Sequence, residues 1–159
     1  MQIKGLIEED FANYKKPSMF IITPKCTFKC DKECGQAVCQ NSPLATIPII
    51  KIDNETIINK YITNPISQAV VIGGLEPFDT FDELLVFCEQ FRDKCNDEIV
   101  IYTGYEPDEI TEEIQLLSIV AKTNLYIKFG RFIPNQEKHF DAIIGVNLAS
   151  DNQRGVKIC

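Results

Sequence analysis

The sequence has little of several residue types on which particular functions depend. It contains no tryptophan and a single histidine, His139, in 159 residues, which excludes a metal site built on two histidines. No apolar run approaches the roughly 20 residues that a membrane-spanning helix needs, so we expect no membrane association. Basic residues number 16 against 23 acidic ones, a net charge of −7. Neutralising phosphates requires a basic face, so this charge argues against nucleic acid as a partner.

Cysteine, by contrast, is plentiful and clustered. Four of the seven cysteines lie within residues 24–43; they are Cys26, Cys30, Cys34 and Cys39. The amino terminus carries acidic residues where a secretory signal would have its apolar core. An odd, clustered set of thiols also does not suit a secreted disulfide scaffold, so we expect a cytoplasmic protein in which they hold a metal or a cluster.

The apolar pattern predicts alternating strands and helices. Residues 1–16 indicate one weak strand, and stronger strands are predicted over residues 18–23, 69–72, 98–104, 124–130 and 142–145. Helices are predicted over residues 55–62, capped by Asn54, over residues 81–91, begun by a Thr80–Glu83 capping box, and over residues 106–117. This alternation implies parallel crossovers. We therefore expect a single α/β domain, residues 1–159, built as a small incomplete (β/α) barrel or an open, mainly parallel sheet.

The cysteine spacing favours an iron–sulfur cluster over a structural zinc ion. Both are held by thiolates, but Cys26-x3-Cys30 differs from the C-x2-C spacing typical of zinc ribbons. A third interpretation is that these cysteines are ordinary thiols that bind no metal. Four thiolates would close the coordination of either metal centre, whereas three would leave one iron of a four-iron cluster open for chemistry.

Four segments, in order along the chain, carry a family resemblance. They are Cys26-x3-Cys30, then Gly73-Gly74-Leu75-Glu76-Pro77, then Tyr102-Thr103-Gly104-Tyr105, and last Ser150-x-Asn152-Gln153-Arg154. With these segments the chain resembles the radical SAM superfamily. Within it, the chain looks most like the small activating enzyme of anaerobic (class III) ribonucleotide reductase.

The resemblance implies a function. Such an enzyme holds a 4Fe-4S cluster and S-adenosyl-L-methionine, takes one electron from an external donor such as flavodoxin and forms a 5′-deoxyadenosyl radical. It then generates a glycyl radical on a large glycyl radical enzyme, here anaerobic ribonucleotide reductase. The implied cofactor contacts are Asn41, Gly73, Gly74, Glu76, Pro77, Tyr102, Thr103, Gly104 and Asn152.

Two features depart from the family pattern. The third cysteine is displaced: Cys34 comes one residue late and Cys39 six residues late. We prefer Cys39 as the third cluster ligand, because Cys39-Gln40-Asn41 resembles the Cys-aromatic-Asn of the family, and residues 31–38 then form an inserted loop. The rival choice makes Cys34 the ligand and Cys39 the spare thiol. Leu75 is an extra residue within the Gly-Gly-acid-Pro segment.

The residues have a physical reading independent of the family. Gly73 and Gly74 allow a ligand to lie against the backbone, and Glu76 can accept hydrogen bonds from an ammonium group. Lys128, Arg131, Lys138 and His139 are predicted to form a mildly basic surface patch. The alternative functions are a radical SAM enzyme acting on a small molecule, a zinc-stabilised interaction domain, and an electron-carrying iron–sulfur protein that uses all four clustered cysteines.

Overall fold

A computed structural model describes residues 1–159 and has strands and helices alternating along most of the chain. In chain order these are β1 (Gln2–Ile3), β2 (Gly5–Asp10), β3 (Ser18–Ile22), α1 (Lys29–Cys34), β4 (Ile50–Lys51), α2 (Asn54–Thr63), β5 (Ala69–Gly73), α3 (Phe81–Arg92), β6 (Glu98–Tyr102), α4 (Thr111–Ala121), β7 (Leu125–Phe129), β8 (His139–Asp141), β9 (Val146–Leu148) and β10 (Arg154–Lys157). Short 3-10 turns occupy Ser42–Thr46, Pro77–Thr80 and Pro107–Glu109.

Six strands form one sheet in the order β10-β7-β6-β5-β3-β2. The central strands β3, β5, β6 and β7 are parallel to one another, and the edge strands β2 and β10 are antiparallel to their neighbours. Helices α3 and α4 connect successive parallel strands, as parallel pairing requires. The predicted α/β class and the mainly parallel sheet are confirmed, and the sheet is open.

The two faces of the sheet are covered differently because successive side chains of a strand point to opposite faces. Along β7, Leu125, Ile127 and Phe129 belong to a large apolar cluster with side chains of α2, α3 and α4. Tyr126, between them, belongs to a smaller cluster with Tyr14 and Ile144. That second face is covered by loops and a short hairpin, which leaves room for a cavity.

Arg92, at the end of α3, fastens the loops at the amino ends of β6 and β7. It is buried, and its guanidinium donates to four backbone carbonyls, those of Ala121, Cys95, Asp97 and Thr123, at 2.6–3.0 Å. The guanidinium carries five N–H donors in a fixed fork, so one side chain can satisfy all these acceptors.

Two helix starts differ from the predicted ones. The cap of α2 is Asp53 rather than Asn54, because its carboxylate accepts from the backbone N–H of Thr56 at 2.7 Å. Thr80 makes no capping bond to α3, and Glu83 instead accepts from the backbone N–H of Gln2 in β1 at 2.5 Å. The predicted helix over residues 106–117 is a 3-10 turn followed by α4.

The predicted strand over residues 142–145 is wrong, since this segment is the turn between β8 and β9. The Asp141 carboxylate accepts from the backbone N–H groups of Ile143 and Ile144 at 2.9 and 2.8 Å, which bends the chain. The amino-terminal segment forms two strands instead of one, and β10 was not predicted. No helix in the structure combines the length and the apolar character that crossing a bilayer demands.

Candidate functional site

A cavity of about 450 Å³ lies at the carboxyl ends of the parallel strands, on the face away from α2, α3 and α4. Phe20 of β3, Tyr102 of β6 and Lys128 of β7 line it, together with residues of β9 and of several loops. The volume falls within the roughly 300–1,000 Å³ of small-molecule sites. Its position is the one at which open α/β sheets bind ligands.

Most of the residues predicted for the site meet at this cavity, although they come from three distant segments. Those that line it are Cys26, Cys30, Cys39, Asn41, Gly74, Glu76, Tyr102, Thr103 and Gly104. Those that do not line it are Cys34, Gly73, Pro77 and Asn152.

Three thiols face the cavity from the cysteine segment. The sulfur of Cys26 accepts from the backbone N–H of Phe28 at 3.3 Å. Burial raises the pKa of Cys26 to about 12 and also raises the pKa of Cys30. Both are therefore protonated before metal binds, and loading a metal centre must release their protons.

Cys39 and Cys34 are placed differently. Cys39 lines the same cavity as Cys26 and Cys30. Cys34 ends α1 and is not part of the cavity wall. The three thiols that share the cavity are thus Cys26, Cys30 and Cys39.

Glu76 joins the ends of β5 and β6 beneath the cavity. It is buried, and its carboxylate accepts from the backbone N–H of Phe78 at 3.2 Å, the hydroxyl of Thr103 at 2.8 Å and the backbone N–H of Gly104 at 2.8 Å. Burial raises the pKa of Glu76 to about 7 against the opposing effect of these bonds. A carboxylate has about four acceptor positions, so one remains for a ligand donor.

Gly74 must be glycine at its position. Its φ is +83°, and an added Cβ would lie 2.7 Å from Cγ2 of Ile22. The following residue, Leu75, is buried and also lines the cavity. The extra residue of this segment therefore faces the site rather than solvent.

The prediction that Lys128 belongs to a basic surface patch is wrong. This residue is 7% exposed, lines the cavity and donates to the backbone carbonyl of Gly130 at 2.9 Å. Burial lowers its pKa to about 8, while the nearby charge of Glu76 acts in the opposite direction. The alternation of β7 was a signal for this placement, because Leu125, Ile127 and Phe129 face the core and Lys128 does not.

The carboxy-terminal segment reaches the cavity through Gln153 rather than Asn152. Asn152 donates to the backbone carbonyl of Arg131 at 2.9 Å. Gln153 is buried, lines the cavity, and accepts from the backbone N–H of Ala149 at 2.9 Å while donating to the carbonyl of Gly130 at 3.3 Å. These hydrogen bonds of Gln153 hold the loop between β9 and β10 against the end of β7.

An ionic network fastens the cysteine segment to the strand ends. Arg131 donates to both carboxylate oxygens of Glu109 at 2.7 and 2.6 Å, and its Nε lies 3.0 Å from Glu33 on α1. Lys29 of α1 lies 3.3 Å from Glu109. The bonds from Arg131 lower the pKa of Glu109 to about 2.

The donor set suits a cluster better than a single ion. No three His, Cys, Asp or Glu side chains converge closely enough to hold one metal ion. In a four-iron cluster each thiolate binds a different iron, so its ligands stand farther apart than those of one ion. Three thiols around one cavity, with a backbone N–H group donating to one of the sulfurs, fit such a group.

In a comparison with protein families, residues 18–154 match the model of the 4Fe-4S single cluster domain. Comparison with curated proteins and with solved structures finds no match. The matched range begins with β3 and ends at the first residue of β10, and it includes every residue that lines the cavity except Ala12 and Asn13. The chain therefore belongs to the 4Fe-4S single cluster domain family and is an iron–sulfur protein.

Proposed function

We propose that this protein is a radical SAM activase that generates a glycyl radical on a larger partner enzyme. Bound together, the cluster and S-adenosyl-L-methionine supply the chemistry: one electron cleaves the sulfonium to methionine and a 5′-deoxyadenosyl radical, which takes a hydrogen atom from a glycine. The observation that carries the proposal is that three thiols share one cavity with Gly74, Glu76 and the 102–104 strand end.

The ligand set in this proposal is Cys26, Cys30 and Cys39. Three thiolates leave one iron of a 4Fe-4S cluster without a protein ligand, which is the open position that a catalytic metal needs. Cys34 is the spare thiol, because it lies outside the cavity that the other three line.

The rest of the cavity has groups of both charges for a zwitterionic cofactor. Glu76 can accept from the ammonium group of the methionine part, and Lys128 can donate to its carboxylate. Lys128 suits the second role because its only hydrogen-bond acceptor within the protein is the carbonyl of Gly130, while an ammonium has three donors. Gly74 lets the backbone approach the ligand closely.

The partner in this proposal is a large glycyl radical enzyme, and anaerobic ribonucleotide reductase is the first candidate. The family resemblance of the four segments is the argument for it. An external one-electron donor of the flavodoxin type completes the system.

Anaerobic reconstitution tests the activity. We expect a brown protein with about four irons and four sulfides per chain that forms 5′-deoxyadenosine and methionine after reduction. Cys34→Ser should retain both properties, whereas Cys39→Ser should lose cleavage. A colourless protein with one tightly bound zinc would refute the proposal, and a brown protein inert towards S-adenosyl-L-methionine would identify an electron carrier.

A second experiment tests the partner. The reduced protein, S-adenosyl-L-methionine and the large subunit of an anaerobic ribonucleotide reductase are mixed without oxygen and examined by electron paramagnetic resonance. A glycyl radical signal is expected, and a variant subunit whose radical glycine is replaced by alanine is the control. Cleavage without any radical on the subunit would point to another target, including a small molecule.

A further inference from the structure

Asp31 lies at the base of the inserted segment that separates Cys30 from Cys39. One oxygen of its carboxylate, Oδ1, accepts from the backbone N–H of Val38 and from the backbone N–H of Cys39, each at 2.8 Å. Asp31 directly follows Cys30 in sequence. One side chain therefore brings two cysteines into neighbouring positions although eight residues lie between them.

The path of the segment shows why this contact matters. The chain leaves Cys30 along α1, reverses at Gly35, whose φ is +66°, and returns through exposed residues Gln36 and Ala37. The bonds to Asp31 are the only hydrogen bonds donated by the backbone N–H groups of residues 36–39. Neither apolar cluster includes a side chain of residues 31–38, so packing does not position this part of the chain.

We propose that Asp31 is the positioning residue that makes Cys39 the third cluster ligand. This inference rests on the proposed function. The carboxylate closes the inserted segment into a loop and turns the Cys39 thiol toward Cys26 and Cys30, while Cys34 stays at the outer end of α1. A carboxylate that accepts from the backbone N–H of a ligand residue orients that ligand, as outer-shell contacts do in other metal sites.

The test compares Asp31→Ala with Lys32→Ala. Lys32 is the next residue on α1, is exposed and forms no ion pair, so its substitution changes the helix without touching the loop closure. Both variants are reconstituted anaerobically, and the rate at which a chelator removes iron is recorded. Loss of an outer-shell partner typically costs about 10–100-fold in metal retention, so Asp31→Ala should release iron at least about tenfold faster than Lys32→Ala.

Double variants connect the effect to Cys39. In the Cys39→Ser background, Asp31→Ala should add no further loss, because the ligand that Asp31 holds is already absent. Asp31→Asn keeps an acceptor oxygen and should retain iron better than Asp31→Ala. Electron paramagnetic resonance of the reduced cluster should change in Asp31→Ala and not in Cys34→Ser. Thermal unfolding before reconstitution should be the same for Asp31→Ala and Lys32→Ala.

Several results would overturn the inference. They are equal iron release from Asp31→Ala and Lys32→Ala, an additive loss in the Cys39→Ser background, iron release from Asp31→Asn as fast as from Asp31→Ala, or general unfolding of Asp31→Ala. The wild type serves as the test of the proposed function itself. A wild type without a cluster or without cleavage refutes that function, whereas a competent wild type with an unaffected Asp31→Ala refutes only the role of Asp31.

Discussion

Gly73 provides a direct test of how closely the strands pack beneath the cavity. A Cβ atom at this position would lie 2.9 Å from Cβ of Tyr102 and 3.4 Å from Cε2 of Phe20. The Tyr102 atom is bonded to the backbone of β6, so it cannot rotate away as the end of a flexible side chain would. Gly73 also pairs with Ile22 of β3, and Gly73→Ala must therefore push neighbouring strands apart.

The expected cost of Gly73→Ala combines two effects. Overpacking of this kind destabilises by about 1–3 kcal/mol, and the reduced freedom of the unfolded chain returns about 0.4–1 kcal/mol. The midpoints of these ranges leave a net loss of about 1.3 kcal/mol. Since each kcal/mol lowers Tm by about 2–4 °C in a protein of this size, we expect a decrease of about 3–5 °C.

Gly104 is the matched control for Gly73. It lies just beyond the end of the next strand, β6, but a Cβ there would meet Cγ of Arg131 at 3.5 Å and Oε2 of Glu76 at 3.6 Å, which are ordinary contacts. Gly104→Ala should change stability by no more than about 0.5 kcal/mol. Thermal unfolding of the cluster-free protein, followed by circular dichroism, measures both. If Gly73→Ala were as stable as Gly104→Ala, the close contact between β5 and β6 would be refuted.

Three further predictions concern buried charged groups. Arg92→Met should destabilise by about 3 kcal/mol or more in urea unfolding, because one buried and three half-buried backbone carbonyls lose their charged donor. A loss below about 1 kcal/mol would contradict this. The pKa of Glu76 is about 7 in the folded state, above its ordinary value of 4.5. Between pH 4.5 and 7 the folded state therefore keeps a proton on Glu76 that the unfolded state has lost, and the free energy of unfolding falls as pH rises through this range. In Glu76→Gln this decline in the free energy of unfolding should be smaller by up to about 3 kcal/mol. If the free energy of unfolding depended on pH equally in the two proteins, the raised pKa of Glu76 would be refuted. Lys128→Met should weaken binding of S-adenosyl-L-methionine by about 10–100-fold in equilibrium dialysis, whereas the exposed Lys157→Met should leave it unaltered.

The sequence was informative about the sheet because strand ends carry local signals. Apolar runs that stop at Gly73 and near Gly104 located β5 and β6, and the helices between them required a parallel order. The edge strands were harder. Strand β10 has only four residues, and its pairing with β7 is a long-range contact that no local pattern encodes.

The site was predictable in part because the carboxyl ends of parallel strands converge. Glu76 and Tyr102 were expected at one rim, and both line the cavity. The internal bonds of Glu76 were not expected, because its partners Thr103 and Gly104 belong to another strand. Lys128 was missed because its neighbours in sequence, Arg131 and Lys138, suggested solvent exposure, although the alternation of β7 placed it inside.

The choice between Cys34 and Cys39 shows the limit of predicting metal ligands from their spacing in sequence. Ligand spacing is useful when the chain between two ligands has a fixed shape, and an insertion removes that condition. By spacing, Cys34 is nearer to the expected position, yet it ends α1 outside the cavity wall, while Cys39, nine residues beyond Cys30, lines the cavity. At the point of return, the Asp31 carboxylate accepts from the backbone N–H groups of Val38 and Cys39. Under the proposed ligand set, an aspartate directly after a ligand cysteine is the feature to look for when such an insertion separates two cluster ligands.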